Sequence, residues 1–167
     1  IAEAYLSLAQ YDEARRYLEQ AAALFEKIQS EAELPEVYSL LAEVMLARGD
    51  VDLALLHARR ARDIAETVGN PVLQGIAERG LARAQAQHGD DAQARRSFGA
   101  SIEMLQTAGH QVELARSHYE FGVLLAGQTG QEALARQHLS QAAELFADAG
   151  AERESAQARD ALSSLSV

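Results

Sequence analysis

Residues 40–65 read LLAEVMLARGDVDLALLHARRARDIA. Apolar side chains recur at three- and four-residue steps on both sides of Gly49-Asp50, the spacing that gathers them on one face of a helix. Glycine enters the left-handed conformation at little cost, so Gly49 is expected to end the first helix. Asp50 is expected to cap the second by accepting its orphan backbone N–H groups. A joint this short makes the two helices antiparallel neighbours. The stretch is therefore a helical hairpin, and a single hairpin cannot bury its own apolar faces.

The hairpin recurs. Its turn aligns as Ala9-Gln10, Gly49-Asp50, Gly89-Asp90 and Gly130-Gln131. Five residues on from each first member stands an alanine: Ala14, Ala54, Ala94, Ala135. Further columns follow: Leu18, Ala58, Phe98, Leu139; then Ala21, Ala61, Ser101, Ala142. Next come Leu24, Ile64, Met104, Leu145, and then Phe25, Ala65, Leu105, Phe146. A second glycine column holds Gly69, Gly109 and Gly150, with Gln29 in its place in the first repeat. The turns at 9, 49, 89 and 130 are spaced by about 40 residues, and the turn Gly127-Gln128-Thr129-Gly130 accommodates the one extra residue. An accidental helical pattern repeats every 3.6 residues, not every 40, so the period marks a repeat architecture. The alanine column belongs where helices approach most closely, and a larger residue such as leucine at Ala94 should overpack it. The column Leu24, Ile64, Met104, Leu145 is expected to be buried.

Helices are expected over 11–28, 34–48, 51–68, 71–88, 91–108, 111–126, 131–148 and 151–165, after the tail of a first helix over 1–8. Ser30 and Glu33 have capping-box spacing. Gly69-Asn70-Pro71 reads as stop, cap and first helical residue. No alternating strand pattern occurs.

These columns resemble the tetratricopeptide repeat, whose pattern is W-x2-L-G-x2-Y, a small residue, A-x3-F and a later Pro. The first helices give Tyr38, Leu41, Ala42, Met45, then Glu78, Leu81, Ala82, Gln85, then His118, Phe121, Gly122, Leu125. Tryptophan is absent, and the period exceeds the common 34 residues. Longer repeats of this kind are similar to those of Pins-type adaptors and bacterial multidomain regulators. The resemblance implies an all-α, right-handed α-solenoid of about four repeats plus a terminal helix, in one array over 1–167. The repeats would be 1–30 (partial), 31–69, 70–109 and 110–149, with the last helix over 151–166. Ile1 and Val167 fall inside helices in this register, so the chain is expected to be a segment of a longer protein.

The resemblance also implies a function: a protein–protein interaction module whose first helices line a concave groove. Carried over by position, the groove residues are Glu36, Ser39, Glu43, Arg79, Arg83, Arg116, Tyr119 and Glu120, with Glu3, Leu6 and Ser7 toward the start. Arg79, Arg83 and Arg116 would make a basic centre flanked by glutamates. An arginine fork grips a carboxylate through two parallel bonds, so the expected ligand is an acidic or C-terminal-carboxylate peptide. The bland alternative pairs these arginines with neighbouring glutamates in water, where such pairs contribute about 0–1 kcal/mol. A spacer or self-associating element and a sensor for a small ligand or signal peptide are the other functions considered. The carboxylate clamp of chaperone-binding relatives is not matched, since the equivalent positions read Ser39, Glu43, Gly80, Arg116 and Glu120. The asparagine ladder of Pins-type relatives is not matched either, because Asn70 is the chain's one asparagine.

Composition narrows the remaining classes. The net charge of −10 opposes nucleic-acid and membrane-surface binding, both of which draw on a basic surplus. No apolar run approaches the ~20 residues that span a bilayer. Cysteine is absent, which excludes disulfides and thiolate metal sites. The histidines His57, His88, His110, His118 and His138 lack metal-ligand spacing, and no glycine-rich phosphate loop occurs. His118 takes the place of the family's large aromatic and is expected to pack; His88 and His110 are expected in solvent. No cofactor, no metal and no enzyme activity are expected. All but one of the 15 basic residues are arginine, the exception being Lys27, which suits a GC-rich bacterial genome. A cytoplasmic location in a bacterial regulatory protein is the corresponding expectation.

Overall fold

The structure, a computed structural model, describes residues 10–165. The expectations placed on the helix tail over 1–8, on Ile1, Glu3, Leu6, Ser7 and Ala9, and on Val167 lie outside the described residues. Eight α-helices occur among the described residues. They are α1 (Tyr11–Lys27), α2 (Leu34–Arg48), α3 (Val51–Val68), α4 (Pro71–His88), α5 (Asp91–Thr107), α6 (Gln111–Ala126), α7 (Glu132–Asp148) and α8 (Glu152–Ser164), with a 3-10 turn at Glu31–Glu33 before α2. The chain divides into two compact units, Ile1–Ser97 and Phe98–Val167, and the division falls within α5.

The glycines of both columns share a positive φ, and most share one closing pattern. Gly49 has φ +82° and Gly89 +93°. At each, two backbone bonds close the preceding helix: Gly49 N–H donates to Leu46 O (3.0 Å) and Asp50 N–H to Met45 O (2.9 Å). The pattern returns at Gly89, Gly109 and Gly150. It satisfies carbonyls that a helix end leaves without partners, and it needs a left-handed residue. Gln29 fills the same position at φ +56°, the one non-glycine with positive φ among the described residues, and its N–H and that of Ser30 make the same two bonds.

Capping departs from expectation at two turns. Asn70 caps α4 as expected, its Oδ1 accepting from Val72 N–H (2.9 Å) and Leu73 N–H (3.3 Å). Asp50 makes no such bond to α3; its carboxylate accepts from Arg48 Nε at 3.3 Å. Ser30 and Glu33 do not form a capping box: Ser30 Oγ donates to the Glu33 carboxylate at 2.6 Å, and the 3-10 turn moves the start of α2 past them. In the longer turn, Gly127 is right-handed and Gly130 takes the positive φ.

In the first unit α1 packs on α2, α2 on α3, α3 on α4, and α2 directly on α4. Ala14, Ala54 and Ala94 are fully buried, as is Ala135 in the second unit. Tyr38, Glu26 and Arg60 tie α2, α1 and α3 together. Tyr38 Oη donates to Glu26 Oε1 (2.7 Å), Arg60 donates to the same oxygen (2.6 Å), and the guanidinium lies 4.5 Å above the Tyr38 ring. Burial first, and the bond to Glu26 second, push the Tyr38 hydroxyl up to about 12.

The column Leu24, Ile64, Met104, Leu145 is not buried. Leu24 is 55% exposed and the other three are half-buried. Ile64 borders an open cleft of about 510 Å³ that it shares with Phe25 and Leu34. The next column supplies the core: Ala65, Leu105 and Phe146 are buried. One residue is 100° of helix, enough to carry a side chain from the seam between helices to its edge.

In the second unit α6 packs on α7 and α7 on α8. Gly122 makes α6 and α7 meet closely, since a Cβ there would lie 2.7 Å from Leu139 Cγ. Phe98 and Phe121 stack with centroids 5.2 Å apart. Ser101 takes an alanine column position and is wholly buried, its hydroxyl satisfied by Ser117 at 2.8 Å. Ser155 of α8 donates to the Ala143 carbonyl of α7 at 2.9 Å.

Candidate partner-binding surface

In the first unit the first helices α2 and α4 stand side by side. Their rungs join residues about one repeat apart. Arg83 Nη1 donates to Glu43 Oε1 (3.3 Å), and Gln87 Nε2 to Leu46 O (3.4 Å). Gly80 faces Ser39, whose Oγ would lie 4.0 Å from a Cβ at that glycine. The Ser39 hydroxyl oxygen is itself out of contact with water and has no hydrogen-bond partner. Glu36 is exposed in the first turn of α2. Arg79 is only 8% exposed and is engaged within the protein. Of the three arginines of the expected basic centre, it is the one withdrawn from solvent.

In the second unit Arg116 donates to Glu113 Oε1 at 2.6 Å, a pairing within one helix at i,i+3 spacing. The Arg116 side chain stays 49% exposed. Tyr119 is half-buried against the cluster of Ala115, Ala142 and Phe146. Glu120 is half-buried and engaged, and Val123 is 47% exposed. Glu113 was not among the sequence candidates, although its three-residue offset from Arg116 signals it.

The chemistry is that of ion pairs. Glu43 and Glu113 each hold a partly exposed arginine; the Arg83–Glu43 pair is open to solvent, where such pairs contribute about 0–1 kcal/mol. An incoming carboxylate can replace Glu43 at small cost, whereas Glu113 is itself buried and would lose its partner. No group of three or more potential metal ligands occurs among the described residues. No helix among them is long and apolar enough to cross a membrane.

The repeat register also pairs rings that spacing alone does not. Tyr38 and His118 are equivalent positions, as are His57 and His138. Tyr38 stacks on His57 at 5.9 Å, and His118 lies 5.0 Å from His138 with Nδ1 atoms 2.8 Å apart. His118 packs as expected, at 4% exposure. Burial lowers His57 and His138; burial and then the neighbouring His138 lower His118 to about 4. His88 is exposed as expected, beside Asp90 and Asp52. His110 is exposed too, and its Nδ1 accepts from Glu113 N–H at the start of α6.

Comparison with known proteins agrees with this geometry. A tetratricopeptide repeat family model matches residues 1–67. That segment carries tetratricopeptide repeats. Over the longer span, the chain shares its fold with tetratricopeptide-like repeat proteins of solved structure. A putative kinesin light chain with nearly identical repeats from Podosopora anserina is 18% identical, covering 99% of this chain and 91% of that one at a TM-score of 0.68. BtubC from P. vanneervenii is 16% identical, covering 98% and 76% at 0.66. A signal-transduction ATPase with a tetratricopeptide repeat sensor from Pyrococcus horikoshii is 20% identical, covering 97% of this chain and 25% of that one at 0.65. No curated protein matches the chain. Tetratricopeptide repeats generally mediate protein–protein interaction, and the fold is typically non-catalytic.

Proposed function

We propose that the chain is a protein-interaction module that takes a peptide or protein segment on its first helices, within a larger bacterial signalling or regulatory protein. The observation that carries this reading is the α2–α4 face. Two first helices one repeat apart lie in contact there, and their rungs are a weak Arg83–Glu43 pair and a glycine notch at Gly80. Such a face offers a ligand replaceable bonds. An acidic segment suits Arg83, because its carboxylate would replace Glu43 in a bond already formed. The tetratricopeptide sensor of the signal-transduction ATPase supports a regulatory host.

The test is capture from the host lysate with three proteins: the parent, Arg83→Glu/Arg116→Glu, and Arg59→Glu/Arg96→Glu on the second helices. Circular dichroism and light scattering confirm equal folding and mass. The reading expects a partner held by the parent and the second-helix variant but lost from the first-helix variant. Equal recovery by all three, or recovery of this chain alone, would replace it with the spacer or self-association reading.

A further inference from the structure

The His118–His138 pair has no part in the proposed interaction face. The two rings bridge α6 and α7 in the second unit, with Nδ1 atoms 2.8 Å apart. At that distance one nitrogen must donate and the other accept, so the neutral pair needs one ring with its proton on Nδ1 and the other without. Aromatic rings flank them on one side, and His138 is half-buried. Phe121 lies 4.6 Å from His138, and Phe98 stacks on Phe121. His118 is 4% exposed.

A first proton leaves the Nδ1–Nδ1 bond in place, since an imidazolium N–H still donates to the neutral ring, but it puts a charge on rings drawn away from water. With both rings protonated, two N–H donors face each other without an acceptor, and two like charges stand in contact inside the seam. The ionisable side chains on the surrounding elements include Glu103 on α5, Arg116 and Glu120 on α6, and Arg136 and Glu144 on α7. Burial first and then His138 lower His118, and burial lowers His138. Opening the seam to water relieves this charge.

We propose that the α6–α7 seam is a proton-sensitive joint, closed while His118 and His138 share a hydrogen bond and loosened by mild acid. The device stands apart from the binding reading, yet it acts on it, because α6 also carries Arg116, Tyr119 and Glu120. A ligand held on that helix would meet a surface whose support weakens as pH falls.

The sign follows from linkage. His118 binds its proton more weakly folded, at about 4, than at the ordinary 6.5. The closed seam is therefore fully favoured above about pH 6.5 and loses ground as pH falls toward 4. Those two values make openings that expose His118 about 20-fold more frequent at pH 5 than at pH 7.

Hydrogen exchange of the whole chain at pH 7 and pH 5, corrected for intrinsic rates, reads this directly in residues 111–148. The expected result is about 20-fold more opening at pH 5 in the parent and little change in His118→Phe/His138→Leu. Nuclear magnetic resonance titration of the parent imidazoles supplies a second readout that needs no variant, with both rings expected to titrate below the ordinary range. The proposal is overturned if the rings titrate near 6.5, or if the double variant keeps the parent's pH dependence. Should the double variant fail to fold, the parent titration decides alone.

Discussion

Gly122→Ala adds one methyl group where α6 and α7 meet. The new Cβ would lie 2.7 Å from Leu139 Cγ, 3.0 Å from its Cδ2 and 3.2 Å from its backbone nitrogen. Ordinary carbon–carbon contact is about 3.5–4.0 Å. Leu139 is wholly buried and cannot swing into solvent, and its backbone is part of the obstruction. The helices must part by several tenths of an ångström or more, and overpacking of this kind costs about 1–3 kcal/mol. Alanine recovers about 0.5–1 kcal/mol over glycine inside a helix. The net expectation is a loss of about 1–2 kcal/mol. Gly99 is the control: it lies within α5, is exposed, and its added Cβ would meet nothing within 4 Å. Gly99→Ala should therefore stabilise by about 0.5–1 kcal/mol. Urea unfolding of both variants, followed by circular dichroism, should move the two midpoints in opposite directions. A Gly122→Ala protein as stable as Gly99→Ala would refute the close approach of α6 to α7.

Three more outcomes follow from particular residues. Gln29→Gly should raise stability by about 0.5–1 kcal/mol in denaturant unfolding, because it removes left-handed strain of about 1–2 kcal/mol and loses part of that gain to unfolded-state freedom; a drop would show that Gln29 holds its turn by other means. Leu105→Ala should cost about 2–5 kcal/mol and Leu24→Ala far less, since one side chain is buried and the other mostly in water; equal losses in thermal unfolding would restore the original column. Asn70→Ala should cost about 1 kcal/mol through lost capping bonds, whereas Asp50→Ala should change little; the reverse order of midpoints would contradict the capping geometry.

The architecture was legible because backbone geometry recurs with the period. Gly109 and Gly150, at the ends of repeats, each mark the same pair of carbonyls closed by the same two bonds, and Gln29 could be placed in that column before its φ was known. Ala14, Ala54, Ala94 and Ala135 declared a close contact by size alone. What failed lay at the edge of a face. Leu24 and Ile64 are apolar and helically spaced, but amphipathic spacing does not separate a buried seam from its rim. Asp50 has the residue type of a cap, yet a side chain with an arginine two residues away has a competing partner.

Single side-chain choices were harder to read than the fold. Arg79 and Arg83 are one turn apart on α4, yet one is buried and the other half-exposed. The His118–His138 pair was hidden by its 20-residue separation, which suits no local motif. It becomes visible once Tyr38 and His57 are seen to occupy the same two repeat positions.

The central claim is that partners dock on the first helices. Photo-crosslinking tests it most directly, with a benzophenone side chain placed in turn at Glu36 and Val123 on first helices and at Arg59 and Arg96 on second helices, all exposed. The account predicts crosslinks to one partner from Glu36 and Val123 and none to it from Arg59 or Arg96. Crosslinks to that partner from the second helices alone would contradict it.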